Sequence, residues 1–208
     1  MIDVNSYLVF LATVLLICVV PGTDMVYIVT NGISQGVKAG LLASVGMSIG
    51  MLVHTAAVVL GLAALVAASS TAYEILRFAG AAYLAYLGVK TLIDSRHGVD
   101  ASVVAGVQLP LSTVFRRAVI TNLLNPKIVV FYLAFLPQFV RSDQGNGTVQ
   151  LLVLGLTFVV IGLVVDSVVA LASGRIGDWL WKDRRSVTWL NRLAGIVFLG
   201  LAIGVAVN

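Results

Sequence analysis

Six blocks of apolar residues, each roughly 20 residues long, constrain this chain more than any other feature. They cover roughly residues 6–29, 40–68, 72–93, 116–140, 150–173 and 190–207. About 20 apolar residues is what an α-helix needs to cross a bilayer core. In lipid the backbone must satisfy its own hydrogen bonds, and a helix does so within one segment. The sequence is 60% hydrophobic and 11% charged, against roughly 25% charge in an average soluble domain. That balance excludes a soluble enzyme, a disordered chain and a nucleic-acid-binding domain. The expected fold is an all-α integral membrane protein with six transmembrane helices, forming one domain over residues 1–208.

Cysteine and histidine usage narrows the chemistry. Cys18 is the one cysteine, so neither an intrachain disulfide nor a thiol relay is available. His54 and His97 are the two histidines, too few for a multi-histidine metal or haem site, and no cofactor is expected. The start Met1-Ile2-Asp3-Val4-Asn5 has no basic n-region, and no small-residue cleavage site follows the first apolar stretch. A cleaved signal peptide is therefore not expected.

Polar punctuation falls at Gly32–Lys38, Ala68–Thr71, Asp94–Leu111, Arg141–Gly147 and Arg175–Thr188. Lys38, Lys90, Arg96, Arg116, Arg117, Arg175, Lys182, Arg184, Arg185 and Arg192 all flank the odd-numbered connections. Only Arg77 and Arg141 lie on the other side, and Lys127 is inside a block. Excess Lys and Arg marks cytoplasmic loops. Both termini are thus expected outside, in the periplasm of a bacterial inner membrane, with a cytoplasmic loop at about 94–114. Trp179, Trp181 and Trp189 flank the last basic loop as interface anchors.

The two halves resemble one another. Phe10, Pro21 and Tyr27 have the spacing of Phe115, Pro126 and Tyr132. Gly50-Met51-Leu52-Val53-His54 matches Gly162-Leu163-Val164-Val165-Asp166, each with a polar group four residues after glycine. Arg77-Phe78-Ala79-Gly80 matches Arg192-Leu193-Ala194-Gly195. Each half has three spans, an odd number, so the second must enter from the opposite side. The pattern predicts an inverted-topology repeat, at about 6–93 and 115–207, a device of secondary transporters. Chance likeness among Ala-, Gly- and Leu-rich helices is the competing explanation.

In a membrane core the informative residues are polar side chains and helix breaks. Pro21-Gly22-Thr23-Asp24 interrupts the first block and Asn122-Leu123-Leu124-Asn125-Pro126-Lys127 the fourth. Proline removes a backbone donor and clashes with the preceding turn. Asn before Pro suits the start of a new half-helix: Asn caps it, and Pro fits its first turn. A half-helix starting inside the membrane aims free N–H groups and partial positive charge at what lies ahead. Two such starts, together with Lys127, suit a carboxylate, and Asp24 suits an ammonium group. Gly22, Thr23, Asp24, Asn122, Asn125 and Lys127 are accordingly the candidate substrate-binding residues of a zwitterion site. The plainer reading is that Pro21 and Pro126 only kink packed helices and that Asp24 pairs with Lys127.

Asp166 and His54 occupy equivalent repeat positions and are the candidate proton carriers, since either could load and release a proton near neutral pH. A packing carboxylate bonded to a hydroxyl, or a histidine bonded to a neighbouring helix, would explain them equally. Gly36, Gly40, Gly46 and Gly50 are explained by close helix packing alone. Pro137-Gln138-Phe139 reads as an outer lip or as interfacial helix termination. Tyr83 and Tyr86 read as packing residues.

Taken together, Pro21-Gly22-Thr23-Asp24, Asn31-Gly32, Gly36, Gly40, Gly46, Gly50 and His54 resemble the LysE/RhtB family of amino-acid exporters. Asn122–Lys127, Phe131, Phe135–Phe139 and Ala79–Gly88 extend the resemblance over nearly the whole chain. It implies a small helical exporter of amino acids, driven by the proton gradient, in a bacterial inner membrane. Within the family, the chain resembles the homoserine/threonine exporter branch. One departure stands out: the family usually has Pro-Gly-Pro where this chain has Pro21-Gly22-Thr23, which restores a backbone donor and adds a hydroxyl. The expected activity is proton-antiport export of a homoserine, threonine or branched-chain type of amino acid by alternating access. The expected partners are the amino acid, protons and lipid, with no nucleic acid and with a homodimer left open. Export of lysine or arginine, an inorganic-ion carrier and a non-transporting membrane scaffold are the alternatives. An ion carrier needs clustered ligands, and only Asp24, Asp166 and His54 are at hand.

Overall fold

The computed structural model describes residues 3–68, 70–94, 108–141, 145–173, 175–176 and 184–207. Among these the protein is all-helical, with eight α-helices. Helix α1 (Val4–Val19) opens on Asp3, whose carboxylate accepts from the Ser6 backbone N–H at 3.0 Å. It stops because Pro21 disfavours a helical residue before it: Val20 takes φ −66° and ψ 122°. Helix α2 (Thr23–Gln35) starts at once and is bent 50° from α1. The second break repeats the first. Helix α5 (Leu111–Leu123) ends before Asn125, which is extended (φ −72°, ψ 109°) ahead of Pro126. Helix α6 (Pro126–Val130) follows at a bend of 47° and continues as a π-helical segment, Phe131–Phe135, and a 3₁₀ turn, Leu136–Phe139.

The remaining helices are long: α3 (Val37–Ala68), α4 (Ser70–Asp94), α7 (Gly147–Leu171) and α8 (Arg184–Val207). Val37–Gly61 and Gly147–Leu171 are each long and apolar enough to cross a membrane, and each bent pair qualifies jointly as one span. Helices α4 and α8 carry shorter apolar stretches, Phe78–Ile93 and Thr188–Gly204. Among the described residues two helices thus qualify as spans by length and composition, and four if each bent pair is one span, beside the six expected. Charges such as Glu74 and Arg192 near the starts of α4 and α8 shorten their apolar windows. Leu60, Val164 and Ile203 are more than half exposed, as are many other large apolar side chains. A water-soluble surface avoids so much contiguous apolar area; a lipid-facing one requires it.

Helix packing follows small residues. On α3, Gly46 and Gly50 face α5: a Cβ on Gly46 would lie 2.7 Å from Ala118 Cβ, and one on Gly50 2.6 Å from Asn122 Oδ1. Helices α4 and α8 cross closely at Gly88 and Gly195, where each glycine would meet the other's carbonyl oxygen at 2.9 Å. These contacts fit close packing as the drive for association in lipid. The expected polar turn over Gly32–Lys38 is narrower than the composition suggests. Helix α2 runs through Gln35, and Gly36 alone makes the turn at φ +88°, a backbone region that glycine adopts without cost. The likewise expected turn at Ala68–Thr71 lies partly outside the described residues, as do most of the 94–114 loop, Trp179 and Trp181.

Buried apolar side chains form two clusters. One gathers Phe10, Ile17, Phe131, Tyr132 and Phe158 around α1, α6 and α7. The other gathers Met25, Ile28, Met47, Ala118 and Ala170 around α2, α3 and α5. The two helix breaks meet at the seam between them.

Candidate functional site

At the first break, α1 ends with carbonyl groups that no helical N–H can reach. Lys127, from the second break, supplies the donors: its Nζ bonds Ile17 O at 3.1 Å and Val20 O at 3.4 Å. Cations favour this negative end of a helix. Gly22 lies beside it: a Cβ there would stand 3.2 Å from Lys127 Nζ.

At the second break, Asn125 caps α6 by accepting from the Lys127 backbone N–H at 3.0 Å. Its amide nitrogen remains free to donate, and it does so to Asp24 Oδ1 at 2.8 Å. Asn122 donates to Asp24 Oδ2 at 3.0 Å. The buried Asp24 carboxylate is therefore held by two neutral amides from α5 and its cap, the satisfaction a buried charge requires. Thr23 Oγ1 lies 3.4 Å from Asp24 Oδ1. Asn122 Oδ1 is buried without a hydrogen-bond partner, an orphan that calls for a reason. Both asparagines are substrate candidates by sequence; in this conformation their amides are engaged by Asp24.

Asp24, Lys127 and Asp166 line one cavity, closed by Ile17, Met51 and Phe158. It holds about 20 Å³, room for about one water molecule and none for an amino acid. Asp166 is half-buried, and its backbone carbonyl accepts from Ser44 at 2.9 Å. His54 does not line the cavity. Its Nε2 lies 3.4 Å from Asn122 O and its ring stacks on Tyr132 at 5.5 Å, so it touches the residue that holds Asp24. Among the described residues no group of three or more His, Cys, Asp or Glu is placed to hold a metal ion.

Above the cavity, on the side of the α1 N-terminus, aromatic rings fill the space between α1, α6 and α7. Phe10 meets Phe139 at 5.2 Å, Phe131 meets Phe158 at 4.6 Å, and Phe135 meets Phe139 at 4.8 Å. Pro137 is buried there and Gln138 half-buried. Tyr83 and Tyr86 contact each other, with Lys90 Nζ 5.8 Å from the Tyr86 ring, and neither lines the cavity.

A second feature lies beyond the first apolar block, which ends at residue 29, and so is not signalled by hydropathy. Helix α2 continues, and a groove of about 450 Å³ runs between it and α5, with Val26 and Leu109 among its lining. Thr23, Tyr27, Thr30, Asn31, Ser34 and Gln35 line it from α2, opposite Arg117 and Thr121. Helical spacing of polar residues over 23–35 is the signal that could have found it.

Comparison with known proteins yields consistent matches. The profile of the family described as LysE type translocator matches residues 15–208. An uncharacterized membrane protein of Vibrio cholerae serotype O1 is 33% identical over 198 residues, covering 95% of each chain. The homoserine/homoserine lactone efflux protein of Salmonella typhimurium is 33% identical over 190 residues, 91% of this chain and 90% of that one. The leucine efflux protein of Klebsiella pneumoniae is 32% identical over 204 residues, 98% of this chain and 95% of that one. No solved structure matches.

Proposed function

We propose, because this chain belongs to the family of LysE-type translocators, that it exports a small neutral amino acid or derivative across a bacterial inner membrane in exchange for protons. It is a transporter and not an enzyme. The named relatives handle homoserine, its lactone and leucine, which supports a neutral substrate. The observation that carries the reading is one buried cavity where two helix breaks meet, bounded by Asp24, Lys127 and Asp166.

In the mechanism, the ammonium of Lys127 leaves the carbonyl groups of Ile17 and Val20 to take the substrate carboxylate. Asp24, with its two asparagines, takes the substrate amine. Asp166 and His54 carry the coupled proton. The cavity is too small for the substrate in this conformation, so the breaks at Val20–Gly22 and Leu124–Asn125 act as hinges that enlarge it. Hinges of this kind absorb backbone change over a few residues.

The inverted repeat accounts for the matched breaks, both extended before proline and bent by 50° and 47°. It also accounts for the pairing of α3 with α7 and of α4 with α8. Six spans follow from the six apolar blocks, and both termini outside from the distribution of Lys and Arg.

The test is flux. Inverted vesicles with an imposed pH gradient are supplied with radiolabelled homoserine, threonine and leucine, using native protein, Lys127→Met and Asp24→Asn. Gradient-dependent uptake that collapses in both variants supports the site. Uptake that survives both substitutions removes the site, and no uptake by well-folded protein removes the function. Two carboxylates against one lysine in the cavity favour a cationic substrate as the second reading, and competition by lysine or arginine in the same vesicles decides it.

A further inference from the structure

We propose that the groove between α2 and α5 is a loading site for the zwitterionic substrate, distinct from the buried cavity and reached from the basic end of the molecule; this rests on the transport reading above. Thr23, Tyr27, Thr30, Asn31, Ser34 and Gln35 follow the spacing of one helix face, and all line the groove. Over these twelve steps the face is about 18 Å long. It starts at Thr23, whose hydroxyl lies 3.4 Å from Asp24 Oδ1, and ends beside Lys38 and the start of α3. A polar stripe this long against lipid is costly, and polar groups at membrane depth line water-filled cavities or protein contacts. The groove holds about 450 Å³, within the range of small-molecule sites.

The lining is chemically prepared for a ligand. Tyr27 donates to Val114 O at 3.0 Å, and Asn31 donates to Tyr27 O at 2.8 Å. Gln35 donates to Asn31 Oδ1 and accepts from the Leu109 N–H. Those groups are spoken for and make a rigid wall. Thr30 Oγ1 is different: it is buried and has no hydrogen-bond partner. Across the groove stands the exposed guanidinium-bearing Arg117. Arginine presents paired donors that match a carboxylate, and a threonine hydroxyl can accept from an ammonium group. Arg117 holds the carboxylate of the incoming amino acid, and the Thr30 hydroxyl, turning about χ1 into the groove, receives its amine or hydroxyl.

The repeat supplies a second argument. Pro21 and Pro126 are 105 residues apart, and the same offset carries Val26, Thr30 and Ser34 onto Phe131, Phe135 and Phe139. Arg117 and Thr121 fall back onto Ala12 and Leu16. The equivalent groove, between α1 and α6, is thus lined by phenylalanine and packed shut, with Phe10 on Phe139 and Phe135 on Phe139. One access route is open and edged by polar side chains while its counterpart is aromatic and closed. This is the arrangement of a carrier waiting for cargo on its basic side.

Cys18 is the one cysteine, so single-cysteine labelling is simple. In a Cys18→Ala background, Thr30→Cys is treated with a membrane-impermeant maleimide from either side. Labelling from the basic side only, slowed by homoserine or leucine, is expected. In transport, Arg117→Gln raises the concentration for half-maximal flux about tenfold, the loss of one charge-assisted bond, with little change in maximal rate. Arg116→Gln, whose side chain does not line the groove, leaves both parameters unchanged. Absence of labelling from both sides overturns the loading site, and disulfide cross-linking between copies carrying Ser34→Cys would then assign the face to a dimer contact. Labelling that substrate does not slow, in protein that transports it, overturns the loading site alone. Failure of the native protein to transport any amino acid overturns the function beneath it.

Discussion

Asn125 does two jobs at once, and they can be separated. Its side-chain oxygen caps α6 through the Lys127 N–H, and its nitrogen holds Asp24 at 2.8 Å. Loss of a cap costs about 0.5–2 kcal/mol, and loss of a hydrogen bond to a charged group about 1.5–3 kcal/mol. Asn125→Ala removes both, for roughly 2–5 kcal/mol in all. At about 2–4 °C per kcal/mol for a chain of this size, the midpoint of thermal unfolding falls by roughly 4–20 °C. Asn125→Ser keeps an oxygen for the cap but cannot reach Asp24, so it loses only the second contribution. In an Asp24→Ala background there is no side-chain oxygen for Asn125 to hold, and Asn125→Ser should cost at most the few tenths of a kcal/mol typical of uncoupled changes. Thermal unfolding of the four proteins in detergent gives the cycle. Equal costs for Asn125→Ser in both backgrounds would refute the bond to Asp24 as the reason for Asn125.

Three further outcomes follow from the same geometry. Gly50→Ala puts a Cβ 2.6 Å from Asn122 Oδ1; it displaces Asn122 from Asp24 and abolishes flux, whereas Gly61→Ala, with nothing within 4 Å, leaves flux unchanged. Phe139→Ala loosens the aromatic closure beside Phe10 and Phe135, so Cys18 should react several times faster with a small maleimide applied from the side of the α1 N-terminus; an unchanged rate would remove the closure from the account. Asp3 has its carboxyl held below the ordinary value of 3.8, chiefly by the Ser6 N–H. A lowered folded pKa means the cap is present above the ordinary range and lost as pH falls through the folded value, below 3.8. Hydrogen exchange at the Ser6 amide should therefore lose protection only in that acid window, and Asp3→Asn should remove the dependence.

The helical membrane character of the chain was legible from block length, and the two breaks from Pro21 and Pro126, because lipid leaves the backbone few options. The capping role of Asn125 was legible too, since Asn-Pro is a local signal that needs no partner. What Asp24 touches was not, because Asn122 and Asn125 lie about a hundred residues away and either could have bonded elsewhere. The same holds for Lys127, whose partners at the end of α1 are backbone carbonyls that no side-chain pattern announces. The α2 groove was missed for a different reason. Its polar face lies beyond an apolar block, and mean hydropathy assigns such a stretch to a turn even when the helix runs on to Gly36.

The central claim is that Lys127 receives a carboxylate and Asp24 an amine, and homoserine with its lactone tests it directly, because the lactone keeps the amine but has no free carboxylate. Binding of both is measured by titration calorimetry on purified native protein, Lys127→Met and Asp24→Asn. The account predicts that Lys127→Met weakens homoserine by about tenfold or more and leaves the lactone untouched, while Asp24→Asn weakens both. A Lys127→Met protein that loses both ligands equally, or neither, would contradict it.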